Sequence, residues 1–170
     1  MKPPAQGYSL SQIDDNWQAV HRATLGFAVV DGRVLLIRKK RGLGAGKING
    51  PGGKLDAGES SLQCAVREVE EELCITLVDP LEYGELKFQF TDAYSIHVHV
   101  YLARSYLGEP RETAEAIPLW FNFADIPYDE MWADDKIWLP RVLNGEYVTG
   151  RFIFDGDTML DHEVAFRKFA

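Results

Sequence analysis

Residues Gly53 to Ile75 read GKLDAGESSLQCAVREVEEELCI, and the second half of that stretch governs the rest of the chain. Its spacing predicts a helix from about Ser61 to Leu73. At ~100° per residue, Leu62, Val66, Val69 and Leu73 share one stripe, which the pattern marks for burial. Glu68, Glu71 and Glu72 lie at i, i+3 and i+4 and form a second stripe, read as well away from the first. Like charges at that spacing weaken an isolated helix. A hard divalent cation such as Mg²⁺, which prefers oxygen ligands, would offset the repulsion; a solvated acidic face is the plainer alternative. Glu70 points away from the three and reads as solvated.

The whole chain sets the frame. Its 170 residues suit one domain with a substantial core, at 46% hydrophobic and 26% charged. No run approaches the ~18 apolar residues of a membrane span, and the start, MKPPAQGYSLSQIDD, lacks a signal peptide's pattern. Cys64 and Cys74 are ten residues apart and about 15 Å along a helix axis, too far to bridge. They read as free thiols, and the expected location is the cytoplasm. A formal net charge of −8 argues against a nucleic-acid polymer as partner. A small anionic ligand stays open, provided cations meet it locally. The partner expected is a small molecule, with no membrane, and the chain is read as a monomer.

Residues 1 to 21 read as an extension that opens PPAQG, in which Leu10, Ile13, Trp17 and Val20 offer one weak helical face or simple docking on the body. Thr24–Val30 and Arg33–Arg38 are apolar, β-branched runs joined by Asp31-Gly32, a strong hairpin signal because both turn residues need positive φ. Lys39 to Lys54 is rich in glycine and lysine and reads as a loop. It completes no phosphate-binding glycine motif, so a basic phosphate cradle and a solvated loop both stand. Ile75–Leu81, Tyr83–Thr91, Ser95–Ala103 and Leu119–Phe123 read as strands. In Ser95–Ala103, Ile96, Val98 and Val100 alternate with His97, His99 and Tyr101. The two histidines face one way, as metal ligands or as a polar wall; no third His or Cys lies near in sequence. Trp132-Ala-Asp134-Asp135 reads as the start of a helix running to Leu143, and Tyr147–Phe154 with Met159–Phe169 as a closing hairpin. Pattern alone gives a mixed α/β fold.

The acidic stretch also resembles the Nudix box. Gly53, Glu59, Arg67, Glu68, Val69, Glu71, Glu72 and Ile75 match eight of its nine specified positions, and Cys74 replaces glycine at the ninth. Cysteine at that helix end costs on the order of 1 kcal/mol if the turn is left-handed. The resemblance implies an α/β helix–sheet–helix sandwich with a mixed sheet, formed by residues 22–170 as one domain. It also implies hydrolysis of a nucleoside diphosphate derivative, with Mg²⁺, or Mn²⁺ in its place, held by Glu68, Glu71, Glu72 and the Gly52 carbonyl. Arg67 would pair with Glu59 or a box carboxylate and hold the loop on the helix. Beyond the box, Lys39-Lys40-Arg41-Gly42, Asn49-Gly50, Phe88, Trp132-x-Asp134-Asp135 and the closing Phe154-x-Gly156-Asp157-Thr158-Met159-Leu160-Asp161 resemble the branch of Nudix enzymes that acts on oxidised purine nucleoside triphosphates. That likeness implies a base pocket of Thr24, Lys39, Asn49, Phe88, Trp132, Asp134 and Asp135, and a further metal ligand or base at Glu115. Taken without it, Asp134-Asp135 reads as helix capping and Trp132 as core. Leu43 and Pro51 stand where that branch has phenylalanine, so one stacking wall is altered. Other diphosphate substrates, or a non-catalytic nucleotide sensor, are the competing readings.

Overall fold

Strand β1 (His21–Val30) turns back into β2 (Arg33–Lys39) through Asp31 at φ 53° and Gly32 at φ 73°, the two left-handed residues the hairpin requires. The structure is a computed structural model and describes residues 7–169. All but the last residue of the PPAQG start lies outside them. The segment read as a loop after β2 contains two short strands, β3 (Ile48–Asn49) on β2 and β4 (Gly52–Lys54) on β1. Two or three residues carry no period to read. Backbone proximity makes β4: a Cβ at Gly52 would sit 1.9 Å from the Thr24 carbonyl oxygen, so only glycine lies that close to β1.

Helix α1 spans Ser61–Leu73. Ser60 Oγ accepts from Gln63 N (3.1 Å) and Gln63 Oε1 from Ser60 N (2.9 Å), which closes a reciprocal cap. Cys74 ends it in the left-handed region at φ 63°. The buried face differs from the one expected. Leu62 is 44% exposed and Val66 half-buried, while Cys64, Ala65, Val69, Glu72 and Leu73 are buried. The cause is the close approach of α1 to β1: a Cβ at Gly26 would meet Val69 Cγ2 at 2.9 Å. Small Cys64 and Ala65 admit that approach, the contact line runs through them, and Glu72 turns inward beside Leu73. The acidic stripe therefore abuts the buried one.

The remaining elements are β5 (Thr76–Val78), β6 (Leu81–Phe90), β7 (Ser95–Ala103), β8 (Ser105–Leu107), β9 (Ala116–Asn122), α2 (Asp135–Leu143), β10 (Glu146–Asp155) and β11 (Thr158–Lys168). The sequence pattern gives no sign of β8; with only three residues it is set by its pairing to β5. One sheet runs β11-β10-β6-β7-β1-β2-β3, with β4 added on β1 and β9 on β2. It is mixed: β1 and β7 are parallel, as are β6 and β10, and the other pairs are antiparallel. Alternate residues feed two cores. Phe27, Val34 and Leu36 pack with Trp138 and Leu139 of α2, while Ala28, Leu35 and Ile37 pack with Val69 and Leu73 of α1. The helices thus cover opposite faces, giving the helix–sheet–helix sandwich.

In the N-terminal segment the expected helical face shrinks to a single 3₁₀ turn at Leu10–Gln12. Ile13 is buried, and the Trp17 indole donates to Gln89 Oε1 at 3.0 Å. Arg151 donates to the carbonyls of Leu10 and Ile13, which ties the segment to β10. Val20 is exposed. Among the described residues no helix is long and apolar enough to cross a membrane. Cys64 is buried, Cys74 exposed, and both are free thiols.

Candidate active site

The turn of α1 toward the sheet gives its glutamates unequal surroundings. Glu72 is 3% exposed; its Oε1 accepts from Gly52 N at 3.2 Å, and its Oε2 is buried with no partner among the described residues. Burial pushes its pKa up to about 8 against the pull of the Gly52 N–H, and the charge of Glu68 adds to the rise. Glu68 is also pushed up by burial, with Arg67 opposing. Its carboxylate lies where a side chain at Gly53 would be: a Cβ there would sit 2.4 Å from it. Arg67 is a hub. It donates to Glu59 through Nε (2.7 Å) and Nη2 (2.8 Å), through Nη1 to Glu68 Oε1 (2.8 Å) and Glu71 Oε2 (3.2 Å), and through Nη2 to the Lys54 carbonyl (3.1 Å). The bond from Arg67 holds Glu59 down at about 2. Its bonds to Glu59 and the Lys54 carbonyl, with Asp56 Oδ2 at 3.4 Å, fix the 53–59 loop on the helix, which a lone surface ion pair would not do. Glu71 is the outermost of the three, half-exposed on the Arg67 side and not part of the cavity wall.

A cavity of about 340 Å³ gathers most of the other candidates: Glu68, Glu72, Gly52, Glu115, Thr24, Lys39, Asn49, Phe88, Trp132, Asp134 and Asp135. That size lies at the lower end of small-molecule sites. Phe88 stacks on Phe152 with centroids 4.9 Å apart, and Trp132 stands edge-on to Phe90 and Phe154. Lys47 Nζ lies 5.4 Å from the Trp132 ring centroid. Asp134 and Asp135 are both buried. Asp134 Oδ2 accepts from the Trp138 indole at 2.8 Å and makes no capping bond, so the helix-cap reading fails for its side chain. Burial raises both acids, and the charge of Asp134 raises Asp135 further. The pair therefore keeps a proton under conditions where free carboxyls lose theirs.

Some candidates are already engaged. The Thr24 hydroxyl donates to Cys64 Sγ at 3.2 Å, toward α1. Lys39 Nζ donates to the Leu43 carbonyl at 2.7 Å; burial lowers its pKa, and the charge of Glu72 opposes that. Asn49 Nδ2 donates to the Lys47 carbonyl at 3.1 Å. Glu115 pairs with Arg41 at 2.9 Å. Leu43 borders the cavity, whereas Pro51 is buried and does not.

The family model of the NUDIX domain matches residues 20–142. The chain belongs to the Nudix hydrolase family. It is 43% identical over 143 residues to a zebrafish (Danio rerio) protein named oxidized purine nucleoside triphosphate hydrolase, covering 83% of this chain and 92% of that one. The mouse (Mus musculus) protein of the same name is 37% identical over the same shares. Among solved structures, a MutT protein from Bacillus halodurans superposes with a TM-score of 0.76 at 28% identity, covering 85% of this chain and 97% of that one.

Nudix hydrolases use a divalent metal, and the donor set here suits one. The buried, partnerless Glu72 Oε2 and the raised Glu68 beside it are groups that a cation would restore to full charge. Sequence reading missed Phe90, Tyr94 and Phe154 in the cavity wall and Lys47 over Trp132. Phe90 and Phe154 read only as strand residues, and Tyr94 fell between two strands; the fold brings them together.

Proposed function

We propose that this Nudix hydrolase cleaves oxidised purine nucleoside triphosphates and their deoxy forms, 8-oxo-dGTP foremost and 2-hydroxy-dATP with it, to the monophosphate and pyrophosphate. Its role would be to clear damaged precursors from the cytoplasmic nucleotide pool, acting as a monomer. The names of the zebrafish and mouse relatives support this reading. The observation that carries it is one cavity joining a buried aspartate pair and aromatic rings to the carboxylates of α1.

The division of labour follows from the groups present. Glu68, Glu71, Glu72, Glu115 and the Gly52 carbonyl would hold Mg²⁺. When bound, the metal screens phosphate charge and acidifies a water. Arg67 is a positioning residue that keeps Glu68 and Glu71 aimed. Lys39, already among these carboxylates, offers a cation to the phosphates. Phe88 and Trp132 give the purine apolar faces, worth about 1–3 kcal/mol per stacked base. Asn49 offers a donor and an acceptor to the base edge. Asp134 and Asp135, sharing a proton, present one donor and one acceptor. Because that proton can sit on either, the pair accommodates more than one oxidised pattern.

The test is pyrophosphate release from 8-oxo-dGTP, 2-hydroxy-dATP, dGTP and ADP-ribose at matched low concentrations, with Mg²⁺ and with chelator. A large kcat/KM advantage for the oxidised purines, lost with chelator, is the expected result. Equal turnover of all four would move the substrate to another diphosphate class.

A further inference from the structure

On the face of β6 and β7 opposite the cavity lies a cluster that the hydrolase chemistry does not use. Ile96 and Val98 line the cavity, so by strand alternation His97 and His99 look the other way. Their rings stack with centroids 4.7 Å apart. Two acids from β6 reach them: His97 Nε2 lies 2.6 Å from Glu85 Oε1, and His99 Nδ1 lies 3.0 Å from Glu82 Oε1. Glu82 and Glu85, three apart, would face opposite sides of a regular strand. A bulge at Tyr83 sets Glu82 opposite Tyr101 and Glu85 opposite His99, which brings both acids to one face.

From this geometry we infer a second metal site, in which Glu85, His97 and His99 bind a borderline divalent cation of the Zn²⁺ class. Their donor atoms all lie within 4.8 Å of one another. Ligands sharing a tetrahedral ion at ~2.0–2.2 Å are about 3.4 Å apart, so rotation of side chains alone closes the site. Two imidazoles and one carboxylate favour Zn²⁺ over Mg²⁺, which selects oxygen. A separate feature agrees: Glu82 already holds Nδ1 of His99, the outer partner that fixes a metal-ligating imidazole and leaves Nε2 to bind. That Nε2 now faces the exposed Arg22 guanidinium at 3.3 Å. Arg22 makes the positive contact that the ion would take over, and it must swing out when the ion binds. Water fills the fourth position.

The site stands apart from the carboxylates of α1, so its test is run with those saturated by Mg²⁺. Chelator-stripped protein in excess Mg²⁺ is titrated with Zn²⁺ by calorimetry, and with Co²⁺ while its visible d–d bands are recorded. The expected result is one equivalent bound with tetrahedral Co²⁺ bands and a Zn²⁺-dependent rise in melting temperature. His97→Asn and His99→Asn should each weaken Zn²⁺ at least tenfold, and Glu85→Gln should weaken it in the same direction. Arg22→Ala should tighten it several-fold, a gain that misfolding would not produce. No Zn²⁺ uptake at millimolar Mg²⁺, or uptake that the histidine variants and Arg22→Ala leave unchanged, would overturn the assignment.

Discussion

Glu72 is held between two demands. Its place beside Leu73 on the buried face strips it of water, and its place beside Glu68 sets it against a like charge. An apolar residue would pack there more cheaply, and the proposed metal role supplies a reason for a carboxylate at this position. Glu72→Gln keeps the volume and the bond to Gly52 N but removes the charge. It should lower kcat/KM by on the order of 10²–10³ with the far-UV spectrum preserved, since a bound metal's charge stabilisation is worth several kcal/mol. Retained turnover would break the metal assignment. The raised pKa has a further consequence for stability. A carboxyl near 8 in the folded protein and near its ordinary value unfolded contributes stability below the unfolded pKa, and loses it as pH rises through the folded one. Chelated protein should therefore lose stability between about pH 5 and 8, by a few kcal/mol at most. Asp134 and Asp135 add a loss of the same sign, so the part due to Glu72 is the difference that Glu72→Gln abolishes in paired denaturant titrations. Equal slopes in the two proteins would place the cost of burying Glu72 elsewhere.

At the scale of elements, α1 was legible end to end because its signals are local. Its periodicity alone placed it over Ser61–Leu73, while the reciprocal cap of Ser60 and Gln63 and the left-handed Cys74 at its end come from the structure. Which face it buries was not local. Leu62 and Val66 belong to the apolar stripe by sequence, yet Gly26, on a strand far from them in the chain, decides that the helix presses through Cys64 and Ala65. Likewise β3, β4 and β8 are too short for a period and exist through their partners. The bulge in β6 cannot be read before β7 is placed against it. The expected helix end did appear: Cys74 takes φ 63°, a conformation that costs a side chain about 1 kcal/mol relative to glycine. Cys74→Gly should thus be neutral or stabilising by up to that amount, with activity unchanged. Cys74 is exposed, so little packing is lost. A clear fall in melting temperature would show that the cysteine has a contact worth more than the strain.

Across the whole molecule, the cavity draws on both ends of the sequence. Thr24 and Gly52 lie in its first third, Glu68 and Glu72 on α1, and Trp132, Asp134, Asp135 and Phe154 arrive from the turn into α2, the start of α2 and β10, late in the chain. The box spacing exposed Glu68 and Glu72, and the family resemblance supplied Gly52, Thr24, Trp132, Asp134 and Asp135; neither gave their joint enclosure, which comes from the sheet order that sets β10 beside β6. The sandwich puts the α1 carboxylates and the α2 aspartates on different helices, so base reading and phosphate chemistry should be separable by mutation. Asp135→Asn keeps the shape of the pair and removes the shared proton's freedom to change sides. Asparagine presents a fixed amide, and a base pattern that needed the other arrangement then leaves a buried polar group unmatched, at a cost of about 1–3 kcal/mol. The ratio of kcat/KM for 8-oxo-dGTP over 2-hydroxy-dATP should shift at least tenfold, while the Mg²⁺ concentration for half-maximal rate stays put. A uniform loss on both substrates would assign the aspartates to catalysis or folding. An unchanged ratio would remove them from the base pocket.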